Sequence, residues 1–145
     1  MIAVIIVAVS MILAVALFLA GIEIQVMGIR NAVKAELASL SIKISDDTYQ
    51  SLREGDFEAY RDKLNSSSSY ISALTSDFYS SLEENIKLHT ETYNIGNVSL
   101  AFTNDGNSLV YIFHCDVRFR VTILSGAFPE ITRNVTIEGR HNAKY

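Results

Sequence analysis

The first 22 positions of the chain, MIAVIIVAVSMILAVALFLAGI, form an unbroken apolar run in which Ser10 is the one polar side chain. The first charged residue is Glu23. About 21 helical residues, each rising 1.5 Å, extend roughly 31 Å, which matches the hydrocarbon thickness of a bilayer. A helix that is apolar all round must be buried in lipid or among other helices. A secretory signal is disfavoured because the run is long and has no basic residue before it.

The helical pattern continues past the apolar run as an amphipathic stripe. Its apolar positions recur at spacings of three and four residues: Ile22, Val26, Ile29, Val33, Leu37 and Leu40. This period is typical of a helix with one buried face. The chain has no proline before position 129. The sequence therefore predicts one long helix from about Ile2 to about Leu40, apolar throughout its first half and amphipathic in its second.

Three further helical segments are predicted before position 90. The stretch Ser45–Thr48 (SDDT) has the residues that favour a helix start, and a short helix through Leu52 would end at the turn Glu54-Gly55-Asp56. One or two helical turns are expected over 57–64. Apolar residues at a spacing of four then predict an amphipathic helix over about 68–88.

After Thr90 the apolar period changes to two, which indicates β-strands. In SLVYIFHCDVRFRVTIL, residues 108–124, every odd position is apolar, so one face of a long strand is expected to be buried. The stretch NDGN at 104–107 predicts a hairpin turn, and SGAFP at 125–129 predicts a second. Three antiparallel strands are therefore expected at about 93–103, 108–124 and 131–140.

The same alternation suggests a register for each hairpin. If Asp105-Gly106 is the first loop, Phe102 faces Leu109, Leu100 faces Tyr111 and Val98 faces Phe113. In the second hairpin, pairing Ile123 with Ile131 brings Phe119 to Val135 and Val117 to Ile137. Each pair places apolar side chains on one face.

These elements predict an α+β fold, with a long N-terminal hydrophobic helix, short helices and a β-meander of at least three strands. We expect residues 1–44 to form the long helix, divided into a membrane span or filament core (1–22) and an amphipathic half (23–44). Residues 45–145 are expected to form the globular domain. The amphipathic helices would cover the apolar face of the sheet.

Composition and motifs favour neither an enzyme nor a nucleic-acid-binding protein. The net charge is -4 and no dense Lys/Arg cluster is present. His89, His114 and His141 have no metal-ligand spacing, and Cys115, the one cysteine, points to the opposite strand face from His114. We therefore predict no catalytic residues, no metal site and no cofactor, and interpret Cys115 as a core residue.

Other polar motifs have a structural interpretation beside a functional one. NDGN resembles a fragment of a calcium loop but lacks the remaining ligands, and the carboxylates of Asp46 and Asp47 fit a helix start. Asp116, Arg118 and Arg120 are expected on the polar sheet face, which is either a contact surface or simply solvated. The sequons at Asn65, Asn97 and Asn134 are possible glycosylation sites in positions expected to be exposed.

The long helix through Leu40, followed by a sheet-forming tail, resembles the type IV pilin superfamily. More narrowly, the chain is similar to the pilin-like (TadE-like) proteins of tight-adherence pilus systems. Members of the superfamily are made with a short basic leader and usually carry a glutamate at the fifth mature position, where this chain has Ile5. If Met1 is the mature first residue, the leader has been removed; if Met1 is the initiator, we expect a single-span anchor without processing.

The resemblance implies a structural subunit of an extracellular type IV or Tad-like pilus, located at the cell surface. Its helix would be held in the membrane before assembly and packed in the filament core afterwards. The implied partners are other copies of the chain, the membrane and the pilus assembly machinery, with no nucleic acid. The membrane and filament-core residues are Ile2, Val4, Ile5, Ile6, Val9, Ile12, Leu13, Val15, Leu17, Phe18, Leu19 and Ile22. The alternative is a single-span anchor whose extracytoplasmic domain binds a partner without polymerising.

Overall fold

The computed structural model describes residues 1–121 and 129–143 of the chain. Three helices precede three strands, and the strands form an antiparallel sheet in the order β1-β2-β3. The elements are α1 (Ile2–Arg53), α2 (Phe57–Lys63), α3 (Ser69–Asn85), β1 (Tyr93–Asp105), β2 (Ser108–Phe119) and β3 (Ile131–Asn142). The expected α+β class is confirmed.

Helix α1 is longer than the sequence predicts. It spans 52 residues and is therefore roughly 78 Å long. The expected helix start at Ser45 is wrong because the nearby hydroxyls bond backward along a continuing helix. Thr48 donates to the carbonyl of Ile44 at 2.7 Å, and Ser51 donates to that of Asp47 at 3.2 Å. The helix ends where expected, and Gly55 follows with a φ of +74°.

The second half of α1 is part of the domain core. Ile22, Ile29, Val33, Leu37 and Leu40 are all buried, which confirms the predicted amphipathic stripe. Ile44 extends the buried face by another turn. These residues pack with Leu74, Phe78 and Leu82 of α3 and with the apolar face of the sheet. The helix and the sheet therefore share one hydrophobic core.

Helices α2 and α3 start at side-chain caps. Asp56 accepts a hydrogen bond from the amide of Ala59 at 2.9 Å, and Ser68 accepts one from the amide of Ile71 at 3.3 Å. Such caps satisfy amides that have no partner in the first helical turn. The predicted amphipathic helix over 68–88 is confirmed as α3, although it ends at Asn85.

The first hairpin has a different loop from the expected one. Asp105 pairs with Ser108, so the loop residues are Gly106 and Asn107, and Gly106 has a φ of +59°. A glycine with positive φ at the first loop position is typical of a type II′ turn. The expected register is consequently wrong by two residues: Phe102 pairs with Tyr111 and Leu100 pairs with Phe113. An even shift leaves the same side chains facing the core.

A β-bulge between Gly96 and Ser99 then changes the phase of β1. Asn97, with a φ of +52°, lies within it. Beyond the bulge Ile95 pairs with Val117 and is buried, whereas without the extra residue it would face outward. The bulge therefore keeps both halves of β1 in contact with the core.

The expected register of the second hairpin is wrong by four residues. Phe119 pairs with Ile131, Cys115 with Val135 and Phe113 with Ile137. Strand β2 ends at Phe119 rather than at position 124. The connection to β3 is thus longer than a tight hairpin. The SGAFP turn lies outside the described residues up to position 128.

Candidate functional site: the exposed surface of helix α1

The first part of α1 extends away from the domain and is exposed in the isolated chain. Among the described residues, α1 is the one helix long and apolar enough to cross a membrane. Its most apolar part buries nothing against the rest of the chain. The structure leaves ten predicted residues exposed, namely Ile2, Val4, Ile5, Ile6, Val9, Ile12, Leu13, Val15, Leu17 and Leu19. This segment is compatible with membrane anchoring.

The two predicted residues nearest the domain have a different environment. Phe18 is partly buried against the core, and Ile22 lies within it at 3% exposure. On the core-facing side of α1, the surface available to lipid or to other helices therefore ends at Phe18, one turn before Ile22.

An ion pair marks the point where α1 joins the domain. Arg133 Nε on β3 donates to Glu23 Oε1 at 2.8 Å. Both side chains are substantially exposed, so the pair contributes little to stability. It nevertheless neutralises the first charge that follows the apolar run, and it connects the helix to an edge strand.

The outward face of α1 stays uncharged for more than six turns beyond Ile22. Along this face, opposite the core, exposed residues follow one another at spacings of three and four. We call this set the outer stripe: Ile24, Gly28, Asn31, Ala35, Ala38, Ile42 and Ser45. At 3.6 residues per turn, these residues lie within a sector of roughly 100° on one side of the helix.

The outer stripe is unusual for a solvent-facing helix surface, which normally carries charged residues. Ile24 and Ile42 are 70% and 63% exposed, and Met27 at the edge of the stripe is 62% exposed. The small residues between them would allow another helix to approach closely. The stripe is continuous with the exposed apolar segment before it, so α1 has one uncharged face along most of its length.

Two of the charged residues beside the outer stripe are directed to the domain, whereas Lys34 is exposed. Lys43 Nζ donates to Asp77 on α3 at 2.8 Å. Glu36 accepts hydrogen bonds from Ser81 at 2.7 Å and from Asn85 at 3.0 Å. These contacts connect α1 to α3 and leave the stripe itself without charge. This surface was not predicted, although the spacing of uncharged residues along the polar side of the amphipathic half is visible in the sequence.

Cys115 and His114, two of the residues considered for chemistry, lie on opposite faces of the sheet. Cys115 is fully buried, and desolvation raises the pKa of its thiol to about 11. His114 lies on the opposite sheet face, as expected, with contacts to Thr136 Oγ1 at 3.0 Å and to Asp116 Oδ1 at 3.3 Å. Residues 1–121 and 129–143 contain no group of three or more metal-ligating side chains.

All three sequon asparagines are exposed, as the sequence predicts. Asn65 lies between α2 and α3, and its side-chain oxygen accepts a hydrogen bond from the amide of Ser67. Asn97 donates to Asp116 Oδ2 at 2.7 Å. Asn134 lies on β3, and its backbone pairs with Asp116. The polar residues Arg118 and Arg120 are also exposed.

Comparisons with protein-family models, with curated proteins and with solved structures found no match.

Proposed function

We propose that this protein is a structural, pilin-like subunit of an extracellular filament of the type IV or Tad kind. The first 21 residues hold the subunit in the membrane before assembly. In the filament they pack against the same segment of neighbouring copies. The globular domain then lies on the outside of the helix bundle. The proposal assigns no enzymatic activity to the chain.

The outer stripe is the observation that supports self-packing beyond simple anchoring. A bilayer core of about 30 Å accounts for roughly 20 residues of an apolar helix. Ser45 lies 23 residues beyond Ile22, roughly 35 Å farther along the axis, where lipid cannot explain an uncharged face. A neighbouring helix aligned with the first segment would run directly alongside this face.

The physical basis of assembly is the burial of apolar surface without lipid. A subunit that leaves the membrane exposes the side chains of residues 2–19 unless other helices cover them. Identical helices in a bundle can provide that cover. When each contact joins two different patches and the rotation does not close, the assembly is an open helical polymer. Extraction would require the assembly machinery that the resemblance implies.

The alternative of a single-span anchor uses the same first segment. It needs no contact between copies at the outer stripe, and it leaves the chain in the membrane. The two functions therefore differ in whether stripes of neighbouring copies meet.

Cysteine cross-linking in the producing cells tests this difference. Ala38→Cys places a thiol on the outer stripe, and the control Arg118→Cys places one on the exposed outer face of the sheet. Native Cys115 is buried and unreactive in both. We expect oxidation to produce cross-linked species with Ala38→Cys, in filaments sheared from the cell surface, and far fewer with Arg118→Cys.

A chain that remains in the membrane fraction with both variants uncross-linked would rule out the filament function and leave the anchored binding domain. Equal cross-linking of the two variants would indicate nonspecific crowding and would contradict the role of the stripe.

A further inference from the structure

The outer face of the sheet carries two sequons, one on each edge strand. Strands β1 and β3 are the edges, and β2 lies between them. Asn97 and Ser99 on β1 are both exposed, as are Asn134 and Thr136 on β3. Asn134 and Thr136 are alternate residues of one strand and therefore project on the same side of the sheet. Asn97 lies in the bulge, which interrupts this alternation, and its contact with Asp116 Oδ2 places its side chain on the outer face as well. Both sequons therefore face away from the helices.

The side chain of Asn134 is the more accessible of the two acceptors. It makes no hydrogen bond with any described residue, whereas the amide nitrogen of Asn97 is held by Asp116 Oδ2 at 2.7 Å. Asn97 also lies in a bulge with positive φ. A transfer reaction at Asn97 would first have to break the contact with Asp116, and one at Asn134 would not.

Asn134 lies on an edge strand that α1 contacts nearby, where Arg30 donates to the carbonyl of Thr136 at 3.5 Å. Strand β3 pairs with β2 along one side, and no strand in the described sheet pairs with its other side. An edge strand can separate locally from its neighbour more easily than a central strand, because fewer ladder hydrogen bonds break. The sequon thus combines an amide nitrogen without a hydrogen bond to any described residue with an exposed position on an edge strand.

We propose that Asn134 is an N-glycosylation site. The donor would be a saccharide linked through phosphate or diphosphate to a membrane polyprenol, and the catalyst would be a membrane oligosaccharyltransferase. Asn134 Nδ2 forms a bond to the anomeric carbon of the saccharide, and the bond from that carbon to the phosphate oxygen breaks. The lipid phosphate leaves with the electron pair, and Nδ2 loses one proton to a base of the enzyme.

The position of Asn134 is compatible with the proposed assembly. The outer face of the sheet is opposite the face packed against α1, so a glycan there does not cover the outer stripe. The proposal requires that the domain lies outside the cytoplasm and that the cell supplies the saccharide donor and the transferase. It does not depend on polymerisation, and failure of one proposal leaves the other intact.

Peptide mass spectrometry of the protein purified from its natural cells tests the proposal. We expect the peptide containing Asn134 to carry a saccharide at high occupancy, with occupancy at Asn97 lower. Asn134→Gln should remove the modification from this peptide and lower the intact mass by one glycan. Asn107→Gln is the matched control, because Asn107 is exposed and followed by Ser-Leu, so the glycan should remain.

Two substitutions at Thr136 separate sequon chemistry from folding. Thr136→Ser keeps the sequon and the hydroxyl beside His114, so the glycan should be retained. Thr136→Ala removes both, and the glycan should be lost. An unmodified Asn134 peptide in the wild-type protein would overturn the proposal, as would a saccharide that persists in Thr136→Ala. Neither result would affect the cross-linking expected at Ala38→Cys.

Discussion

The contact between Tyr111 and Gly139 shows how closely single residues are fitted in the sheet. The two residues pair across β2 and β3. Tyr111 is 6% exposed, and a Cβ added at Gly139 would overlap the end of its ring. Glycine is thus needed at this position for space and not for its backbone conformation.

We predict that Gly139→Ala destabilises the protein by about 1–3 kcal/mol, since a buried ring would have to shift to accommodate the methyl group. Urea denaturation of the detergent-solubilised protein measures this. Gly96→Ala is the control, because the added methyl group would meet no atom within 4 Å, and a smaller loss is expected. Equal losses for both variants would show that the Tyr111 ring moves at no cost.

The burial of Cys115 predicts how the stability of the protein depends on pH. Its pKa is raised to about 11 by burial, while in the unfolded chain a thiol ionises near its ordinary value of about 8.5–9. Above that value the unfolded state loses a proton that the folded state keeps, so stability falls as pH rises to about 11. The loss is about 3 kcal/mol, taking 1.36 kcal/mol per pKa unit.

The measurement is the free energy of unfolding at several pH values between 8 and 11, compared with that of Cys115→Ala. The variant lacks the thiol, so its free energy of unfolding should decline less steeply with pH. Other groups contribute to the decline in both proteins, among them Tyr70, whose pKa is raised by burial. Identical slopes in the two proteins would contradict the burial effect.

At the scale of elements, two adjacent residues of α1 lie on different faces of the helix, one in the core and one on the outer stripe. Leu37 is 4% exposed in the core, and Ala38 is exposed on the outer stripe. We predict that Leu37→Asp unfolds the domain, with a loss above about 4 kcal/mol, because a carboxylate would be buried without a partner. Ala38→Asp should leave the stability of the solubilised protein within about 0.5 kcal/mol.

The same pair of variants distinguishes folding from assembly. Thermal unfolding in detergent should separate them, and only Ala38→Asp should give a folded protein that fails to appear in sheared filaments. A folded Ala38→Asp variant with normal filaments would show that the outer stripe is not an interface.

The buried faces of helices and strands could be predicted from the sequence where apolar residues recur with a helical or a strand period. The odd positions of β2 and the stripe from Ile22 to Leu40 identified the buried faces correctly. The strand registers could not be fixed, because shifts of two or four residues preserve the same alternation. The continuation of α1 was missed because Ser, Asp and Thr favour helix starts, whereas Thr48 here bonds back to Ile44. The bulge at Asn97 has no comparable sequence signal.

For the candidate site, the hydrophobicity of the sequence predicted the exposed segment at the start of α1. The position at which this segment meets the domain depends on tertiary packing and could not be predicted. Nothing local in the sequence distinguishes Leu19, which is exposed, from Ile22, which is buried, since both are aliphatic residues of one apolar run. The difference arises because the domain covers α1 from Phe18 onward on one side. The outer stripe follows from the same packing, as the face of α1 opposite the core.

At the scale of the whole molecule, we expect the unfolding free energy of the domain to depend little on the projecting segment of α1. Removal of residues 2–16 deletes exposed side chains and leaves Phe18 and Ile22 in place. We predict that the shortened chain is released from the membrane fraction and keeps the unfolding free energy of the full chain within about 1 kcal/mol. Size-exclusion chromatography and urea denaturation measure both properties. Loss of the cooperative transition would show that the segment contributes to the domain.

Gly21 lies at the junction between the projecting segment and the domain, directly before Ile22, the first fully buried residue of α1. Glycine weakens a helix by about 1 kcal/mol relative to alanine, and no neighbouring side chain lies where a Cβ of Gly21 would be. Bending of the helix at Gly21 therefore costs less than it would at an alanine. If the proposed filament forms, a bend at Gly21 would let the domain tilt under tension while residues 2–19 stay packed in the bundle.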